Sequence, residues 1–186
     1  MRILNSFTFI TINGLYKGLL EDISWHGHGG GEEADFASKN AQSNHVLLFG
    51  RKTYDMMSAF WPTPMAAESM PEIAKGINSA EKIVFSRTLK VADWNNARII
   101  GEDMIKKIKE LKKTEGNDMT LLGSGSILSQ LSDAGLIDQY DIMIDPVAIG
   151  QGAPIFQSIQ NQLNLKLKSQ RVFASGTILL QYVPRE

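Results

Sequence analysis

Three short stretches of this sequence combine glycine, hydroxyl and cationic side chains as phosphate-binding turns do. Residues 49–53 read Phe-Gly-Arg-Lys-Thr, residues 84–88 read Val-Phe-Ser-Arg-Thr, and residues 123–126 read Gly-Ser-Gly-Ser. A glycine lets the backbone approach a ligand closely, and a helix that begins beside it offers free N–H groups to an anion. The turns at Gly50 and Gly123 both lead into helical spacing, so each could bind a phosphate.

Taken together, the three turns suggest a ligand with phosphates in two places. Two helix N-termini could hold a pyrophosphate, and the Ser-Arg-Thr turn could hold another phosphate some distance away. NADPH has this layout. Any one of these turns alone is more simply an ordinary turn with surface cations. Three of them at the carboxyl edge of one sheet favour a nucleotide site.

Hydrophobic patterning predicts the elements that would bring these turns together. Strands are predicted over residues 3–12, 46–49 and 82–86, in the apolar stretch before the turn at Gly123, and from residue 139 to Pro146, which ends the strand. Two more in the tail are separated by the hairpin pair Ser175-Gly176. Helices are predicted over 32–41 and 102–114 and after the turns at Gly50 and Gly123, whereas the proline-punctuated stretch 60–71 is predicted to be a loop. Alternating strands and helices indicate an α/β fold, a mostly parallel sheet flanked by helices with antiparallel strands at one edge. We expect one domain over residues 1–186.

Composition limits the kinds of partner. The net charge of −1 argues against nucleic-acid binding through a basic surface, and the absence of cysteine excludes thiolate chemistry. No apolar run approaches the roughly 20 residues that span a bilayer. The N-terminal apolar run is interrupted by polar residues and is a better strand than signal peptide. We therefore expect a cytoplasmic protein with a small-molecule partner, no nucleic acid and no membrane association.

The same motifs resemble those of the dihydrofolate reductase-like superfamily. The closest likeness is to its small bacterial branch, near the C-terminal reductase domain of riboflavin-biosynthesis deaminase–reductase proteins. Residues 47–57, LLFGRKTYDMM, resemble the Gly-Arg-x-Thr turn of that family, and residues 81–89, EKIVFSRTL, resemble its Ser-Arg-Thr-Leu strand end. Residues 121–156 resemble its riboflavin-type ending, from a glycine turn to Pro-Val-x-x-Gly-x-Gly. The likeness covers nearly the whole chain and implies the dihydrofolate reductase-like fold.

The resemblance also implies an NADPH site. The residues implied to hold the pyrophosphate and part of the adenosine phosphate are Gly50, Arg51, Lys52 and Thr53. Those implied to surround the 2′-phosphate are Ser86, Arg87 and Thr88, and those implied to line the other side of the cofactor are Gly123, Ser124, Gly125, Ser126, Ile127 and Leu128. Relatives often carry a Gly-Gly turn with a cis peptide where this chain has Gly123-Ser124. Relatives also pair as homodimers, for which the C-terminal hairpin edge is a candidate interface.

The proton donor and the substrate-orienting acid are harder to locate. By resemblance, Ala34-Asp35-Phe36 stands at the spacing of the acid that pairs with a pteridine ring, so Asp35 is the predicted catalytic acid and Glu33 the second choice. Acids in a first helical turn are also common as simple dipole partners.

Two histidines and two tryptophans are further candidates. His26 and His28 form an H-x-H pair that can bind metal, but the sequence offers no third ligand, so no metal site is predicted. Trp25 and Trp61 could wall a substrate pocket or belong to the core.

The function that these features favour is an NADPH-dependent reductase that transfers a hydride to a small heterocyclic substrate. The riboflavin-type ending favours a ribosylaminopyrimidine, and the Ala-Asp-Phe segment favours dihydrofolate or another pterin. The alternative is a non-catalytic NADPH-binding or sensor protein on the same fold.

Overall fold

A computed structural model describes residues 1–27, 31–41 and 43–185 of the chain. Its main feature is an eight-stranded sheet in the order β5-β4-β3-β6-β1-β7-β10-β9. These strands are β1 (Leu4–Thr11), β3 (Val46–Gly50), β4 (Lys82–Phe85), β5 (Ala97–Ile100), β6 (Met119–Leu122), β7 (Gln139–Asp145), β9 (Leu165–Val172) and β10 (Ile178–Pro184). A separate small ribbon pairs β2 (Leu15–Lys17) with β8 (Ala153–Pro154).

The first six strands in this order run parallel, whereas β10 is antiparallel to β7 and β9 is antiparallel to β10. The prediction of a mostly parallel sheet with antiparallel C-terminal strands is therefore confirmed. The short strand β5 was not predicted, because its four residues include an exposed arginine and show no clear alternation.

Six α-helices connect and cover the strands of the described chain. They are α1 (Glu32–Ala41), α2 (Arg51–Phe60), α3 (Pro64–Ser69), α4 (Pro71–Ser79), α5 (Met104–Lys113) and α6 (Gly125–Asp133). The predicted loop over 60–71 is wrong, since α3 and the start of α4 occupy it. Pro64 and Pro71 each stand at the beginning of a helix, where a missing N–H costs nothing, and the Thr63 side chain caps α3.

The core lies on both faces of the sheet. Residues of β3 and β4 are buried in continuous runs, as expected for strands covered on two sides. In β1 the side chains alternate: Leu4 and Ile10 join the largest apolar cluster, while Phe7 and Phe9 pack on the opposite face. This second face carries the aromatic half of the site described below.

A lysine is also buried in the core, at the amino end of β4. Lys82 is fully buried, and its ammonium donates hydrogen bonds of 2.8–3.1 Å to the carbonyls of Asn78, Ala80 and Asn95. It also lies 4.6 Å from the ring centre of Trp94. Burial lowers the pKa of Lys82 to about 8.

Candidate functional site

The three predicted phosphate turns lie side by side at one edge of the sheet. β4, β3 and β6 are parallel neighbours, so their carboxyl ends meet at the same edge. The turns 50–53, 86–88 and 123–128 leave the sheet from these three ends. The strand order therefore confirms that the turns share an edge.

Side-chain hydrogen bonds join two of these turns through Ser124. Its Oγ accepts from the Gly50 N–H at 2.9 Å, and its proton faces Thr53 Oγ1 at 2.9 Å or the Leu122 carbonyl at 3.0 Å. Ser124 is buried, and a Cβ added to Gly50 would lie 3.3 Å from both Ser124 Oγ and Ile127 Cγ1. The turns after β3 and β6 are thus packed closely, and a side chain at Gly50 would require Ser124 or Ile127 to shift.

The third turn is connected by an arginine. Arg51 Nη1 donates to Thr88 Oγ1 at 3.2 Å, and Arg51 Nε pairs with Asp55 at 2.7 Å. Within the last turn, Ser86 Oγ accepts from the backbone N–H groups of Thr88 and Leu89. The Ser86 hydroxyl therefore stabilises its own loop, and the exposed Arg87 side chain is the cation of this loop that a phosphate could contact.

Two helices begin at this edge without a side-chain cap among the described residues. α2 starts directly after Gly50, and α6 starts after Ser124, whose φ is +58°. The leading N–H groups of both helices, including those of Arg51 and Ser126, have the polarity that attracts an anion. Gly123 has a φ of +54°, and no peptide bond in the described chain is cis. Two successive left-handed residues turn the backbone here.

A carboxylate lies next to the predicted phosphate cations. Glu21 accepts hydrogen bonds from Lys52 at 2.8 Å and from Lys17 at 2.6 Å. Partial burial opposes ionisation of Glu21, but the two lysines outweigh it and lower its pKa. Lys52 therefore has an anionic partner when no phosphate is bound.

A different group of polar residues stands farther along the same edge, at the ends of β1 and β7. Asp145, the last residue of β7, is buried and lies in register with Thr11. Its Oδ2 is 2.5 Å from His26 Nδ1, and its Oδ1 accepts from Thr177 Oγ1 at 3.2 Å. The His26 ring stacks on Phe9 with centroids 3.8 Å apart. These three polar residues therefore form one connected cluster.

Aromatic rings line the face of the sheet beside this cluster. Phe7 lies 5.0 Å from Phe9 and 6.3 Å from Phe36, and Phe36 lies 5.9 Å from Phe173. The Trp25 ring is 6.0 Å from His26, and its buried Nε1 has no hydrogen-bond partner among the described residues. Such a surface suits a flat, partly apolar ligand that can accept a hydrogen bond.

The acids predicted on α1 lie outside this cluster. Asp35 is exposed, whereas its neighbour Phe36 packs inward against Phe7. Glu33 is half-buried and accepts a hydrogen bond from the Ser175 hydroxyl. The role predicted for Asp35 stays a prediction, and its side chain is exposed.

Of the remaining residues considered from the sequence, Trp61 does not join the cluster of His26, Asp145 and Thr177 in the described part of the chain. Trp61 ends α2, donates to Met57 Sδ at 3.2 Å and packs in the apolar cluster around Phe49, away from the histidine. His28 lies outside the described residues. No group of three histidine, cysteine or acidic residues in the described chain could hold a metal ion. Within the same residues, no helix combines the length and apolar character needed to cross a membrane.

Sequence reasoning missed Asp145 and Thr177. One signal was available for Asp145, since it is an acid directly after the apolar stretch Ile142–Ile144 and before Pro146, where a buried parallel strand ends. Thr177 carries no comparable signal, because its position after a hairpin glycine is ordinary.

Comparisons with known proteins agree with this architecture. The model of the RibD C-terminal domain family matches residues 2–179. The uncharacterized protein YyaP of Bacillus subtilis (strain 168) is 33% identical over 137 residues, which cover 74% of this chain and 72% of YyaP.

Two solved structures share the fold at low sequence identity. A protein attributed to riboflavin biosynthesis from Shewanella sp. PV-4 superimposes with a TM-score of 0.76 at 17% identity, covering 99% of both chains. Dihydrofolate reductase from Enterococcus faecalis, complexed with NADP(H) and RAB-propyl, superimposes with a TM-score of 0.66 at 14% identity, covering 99% of this chain and 97% of the other. The expected dihydrofolate reductase-like fold is confirmed.

Proposed function

Because this chain belongs to the RibD C-terminal domain family, we propose that it is an NADPH-dependent reductase of a small heterocyclic substrate. The observation that carries the proposal is the meeting of three phosphate-type turns, two of them uncapped helix N-termini, at one sheet edge. When bound, the cofactor supplies the hydride. The chain's own residues bind and orient it.

The pyrophosphate and the 2′-phosphate of the cofactor are assigned to the turns that follow different strands. In the proposal, the N–H groups at the start of α2 and α6 hold the pyrophosphate, with Lys52 released from Glu21 to meet it. Arg87 and Thr88, on the neighbouring turn, hold the 2′-phosphate, and Arg51 reaches the same place through its contact with Thr88. The close packing of Gly50 against Ile127 keeps the pyrophosphate turns together.

This arrangement favours NADPH over NADH. A hydrogen bond between an arginine and a phosphate contributes roughly 1.5–3 kcal/mol, the lower end applying to an exposed side chain such as Arg87. One such bond at about 1.4 kcal/mol is a tenfold difference in affinity. We therefore expect the dissociation constant of NADPH to be lower than that of NADH by about tenfold or more.

Fluorescence titration of both cofactors tests the assignment. The variant Arg87→Ala is expected to lose about tenfold in NADPH affinity and little in NADH affinity. Arg98→Ala is the matched control, because Arg98 is also an exposed arginine, on β5, and pairs with Glu81. Equal affinity of the wild-type protein for the two cofactors would contradict the 2′-phosphate assignment.

Turnover is tested by following NADPH oxidation with dihydrofolate, a ribosylaminopyrimidine and simple quinones. The family match favours the ribosylaminopyrimidine, and oxidation with one of these compounds is the expected result. Tight NADPH binding without oxidation by any of them would instead favour the sensor function.

The proposal includes a homodimer working in the cytoplasm. β9 is an edge strand with its side chains largely exposed, including Leu167 and Val172 at 45% and 65% exposure. An unpaired edge of this kind can be covered by a second copy. Light scattering of the purified protein is expected to give the mass of two chains, and Val172→Lys, which adds a charge to that edge, to shift it towards one.

A further inference from the structure

The phosphate turns occupy one part of the carboxyl edge of the sheet, so the nicotinamide of the proposed cofactor would lie beside the remaining strand ends. β4, β3 and β6 carry the phosphate turns, and the next strands along the sheet are β1 and β7. Neighbouring strands are about 4.8 Å apart, so the end of β7 is roughly 10 Å from the end of β6. The buried cluster of His26, Asp145 and Thr177 stands at this distance, where a dinucleotide extending from the phosphate turns would place its other ring.

The cluster has the geometry that orients an imidazole. Both carboxylate oxygens of Asp145 have partners, Oδ1 with the Thr177 hydroxyl and Oδ2 with His26 Nδ1. A carboxylate at 2.5 Å requires a proton on Nδ1, which fixes the tautomer and the plane of the ring.

The surroundings indicate what the imidazole faces. The His26 ring stacks on Phe9, its side chain is only 16% exposed, and Phe7 and Phe36 continue the aromatic surface. The proton that the reduction needs can come from a side chain or from a positioned water, and His26 is a side chain on this surface that can carry one. A flat nitrogen heterocycle is the ligand class that can stack on these rings.

On the basis of the proposed reductase function, we propose that His26 is the proton donor of the reaction and that Asp145 and Thr177 are its positioning residues. The substrate carbon gains a hydride from the nicotinamide, and the adjoining nitrogen or oxygen gains the Nε2 proton of His26. The C=N or C=O double bond becomes single, NADPH is oxidised to NADP⁺, and solvent returns a proton to His26.

Two pairs of variants test the proposal. His26→Gln removes the donor, and Asp145→Asn keeps the shape but withdraws the charge. The chain offers matched controls: His45, whose Nδ1 is 2.8 Å from Thr120 Oγ1, and Asp141, a half-buried carboxyl of the same strand β7 that accepts from Gln181. The variants His45→Gln and Asp141→Asn therefore remove the same groups at positions away from the site.

The expected result is a loss of turnover without a loss of cofactor binding. His26→Gln is expected to lower kcat by about 10²–10⁴-fold and Asp145→Asn by about tenfold or more. The dissociation constant of NADPH, measured by fluorescence, is expected to stay within about twofold in both variants and in both controls. Retention of NADPH binding also shows that each variant is folded.

Two further readouts separate proton transfer from a merely structural role. Free imidazole is expected to restore turnover to His26→Ala, because that truncation opens space beside Phe9. Nitrogen-15 NMR of histidine-labelled protein is expected to show a proton on Nδ1 of His26 that is lost or exchanges rapidly in Asp145→Asn.

The outcomes distinguish this proposal from the one on which it rests. If wild-type protein reduces a substrate and His26→Gln does so at the same rate, the proton donor is wrong and the reductase stands. If wild-type protein binds NADPH but reduces none of the compounds tested, both proposals fall. A bare Nδ1 in the wild-type spectrum would overturn the positioning role of Asp145.

Discussion

The hydroxyl of Ser124 joins the turn after β3 to the turn after β6, and we expect its removal to disconnect them. In Ser124→Ala the Gly50 N–H loses its acceptor, and Thr53 Oγ1 loses its neighbour at 2.9 Å. Leaving a buried donor unsatisfied costs about 1–3 kcal/mol. Because Gly50 is only half-buried, we expect the free energy of unfolding to fall by about 1–2 kcal/mol.

The backbone at this position provides a second, independent variant. Ser124 has a φ of +58°, a conformation that costs a non-glycine residue about 1–2 kcal/mol and costs glycine almost nothing. Ser124→Gly therefore loses the same hydroxyl but relieves this strain, so its stability should be close to that of the wild type. Both variants should weaken NADPH binding by about the same factor, roughly three- to tenfold, since both let α2 move relative to α6.

Urea unfolding followed by tryptophan fluorescence, combined with NADPH titration, measures both quantities. Ser69→Ala is the control, because Ser69 is an exposed serine whose hydroxyl donates to the Met65 carbonyl within α3 at 2.7 Å. Wild-type NADPH affinity in both Ser124 variants, or an equal loss in Ser69→Ala, would refute the view that this hydroxyl joins the turns.

Three other changes have defined outcomes. The pKa of Lys82 is about 8 in the folded protein and ordinarily 10.5, so the unfolded chain binds more protons between these pH values. The free energy of unfolding of the wild type, measured by urea titration, should therefore rise with pH by up to about 3 kcal/mol relative to that of Lys82→Met. Parallel pH curves for the two proteins would contradict this. Gly76→Ala places a Cβ against the Ala41 carbonyl oxygen, closer than a real contact allows. Although alanine is the better helix former, this variant should lower the free energy of unfolding by about 1–3 kcal/mol in the same assay. A gain in stability would show that α1 and α4 separate easily. Asp35→Asn should leave the NADPH dissociation constant unchanged, and undiminished turnover in that variant would remove the acid role that the resemblance implies.

The cofactor edge was predictable because its signals are local. A buried strand, a glycine and a hydroxyl–cation pair follow one another within a few residues at Gly50, and the parallel sheet then places such turns at one edge. The two helices α3 and α4 were missed for an equally local reason. Prolines such as Pro64 and Pro71 are typical of loops, but a proline at the first position of a helix is well tolerated.

The aromatic cluster was not predictable from spacing, because its members come from distant segments. His26 and Asp145 are 119 residues apart in sequence, and Asp145 and Thr177 are 32 apart. Only the pairing of β7 with β1 and β10 brings them together. The orientation of α1 is a similar case, because spacing alone does not say that Phe36 packs against Phe7 while its neighbour Asp35 is exposed.

The strand order separates affinity from chemistry in this molecule. Phosphate groups provide most of the charge that a dinucleotide offers, and the cations and helix N-termini that meet them leave from β3, β4 and β6. The histidine–aspartate pair is on the far side of β1, separated from those turns by that strand. Changes at Ser124 or Arg87 should therefore act on the dissociation constant of NADPH, and changes at His26 or Asp145 on kcat. Sites without shared partners contribute independently. The loss of kcat/KM in a double variant of Ser124 and His26, converted to free energy, should therefore equal the sum of the losses in the two single variants within about 0.5 kcal/mol. A larger deviation would mean that β1 transmits movement between the two halves of the site.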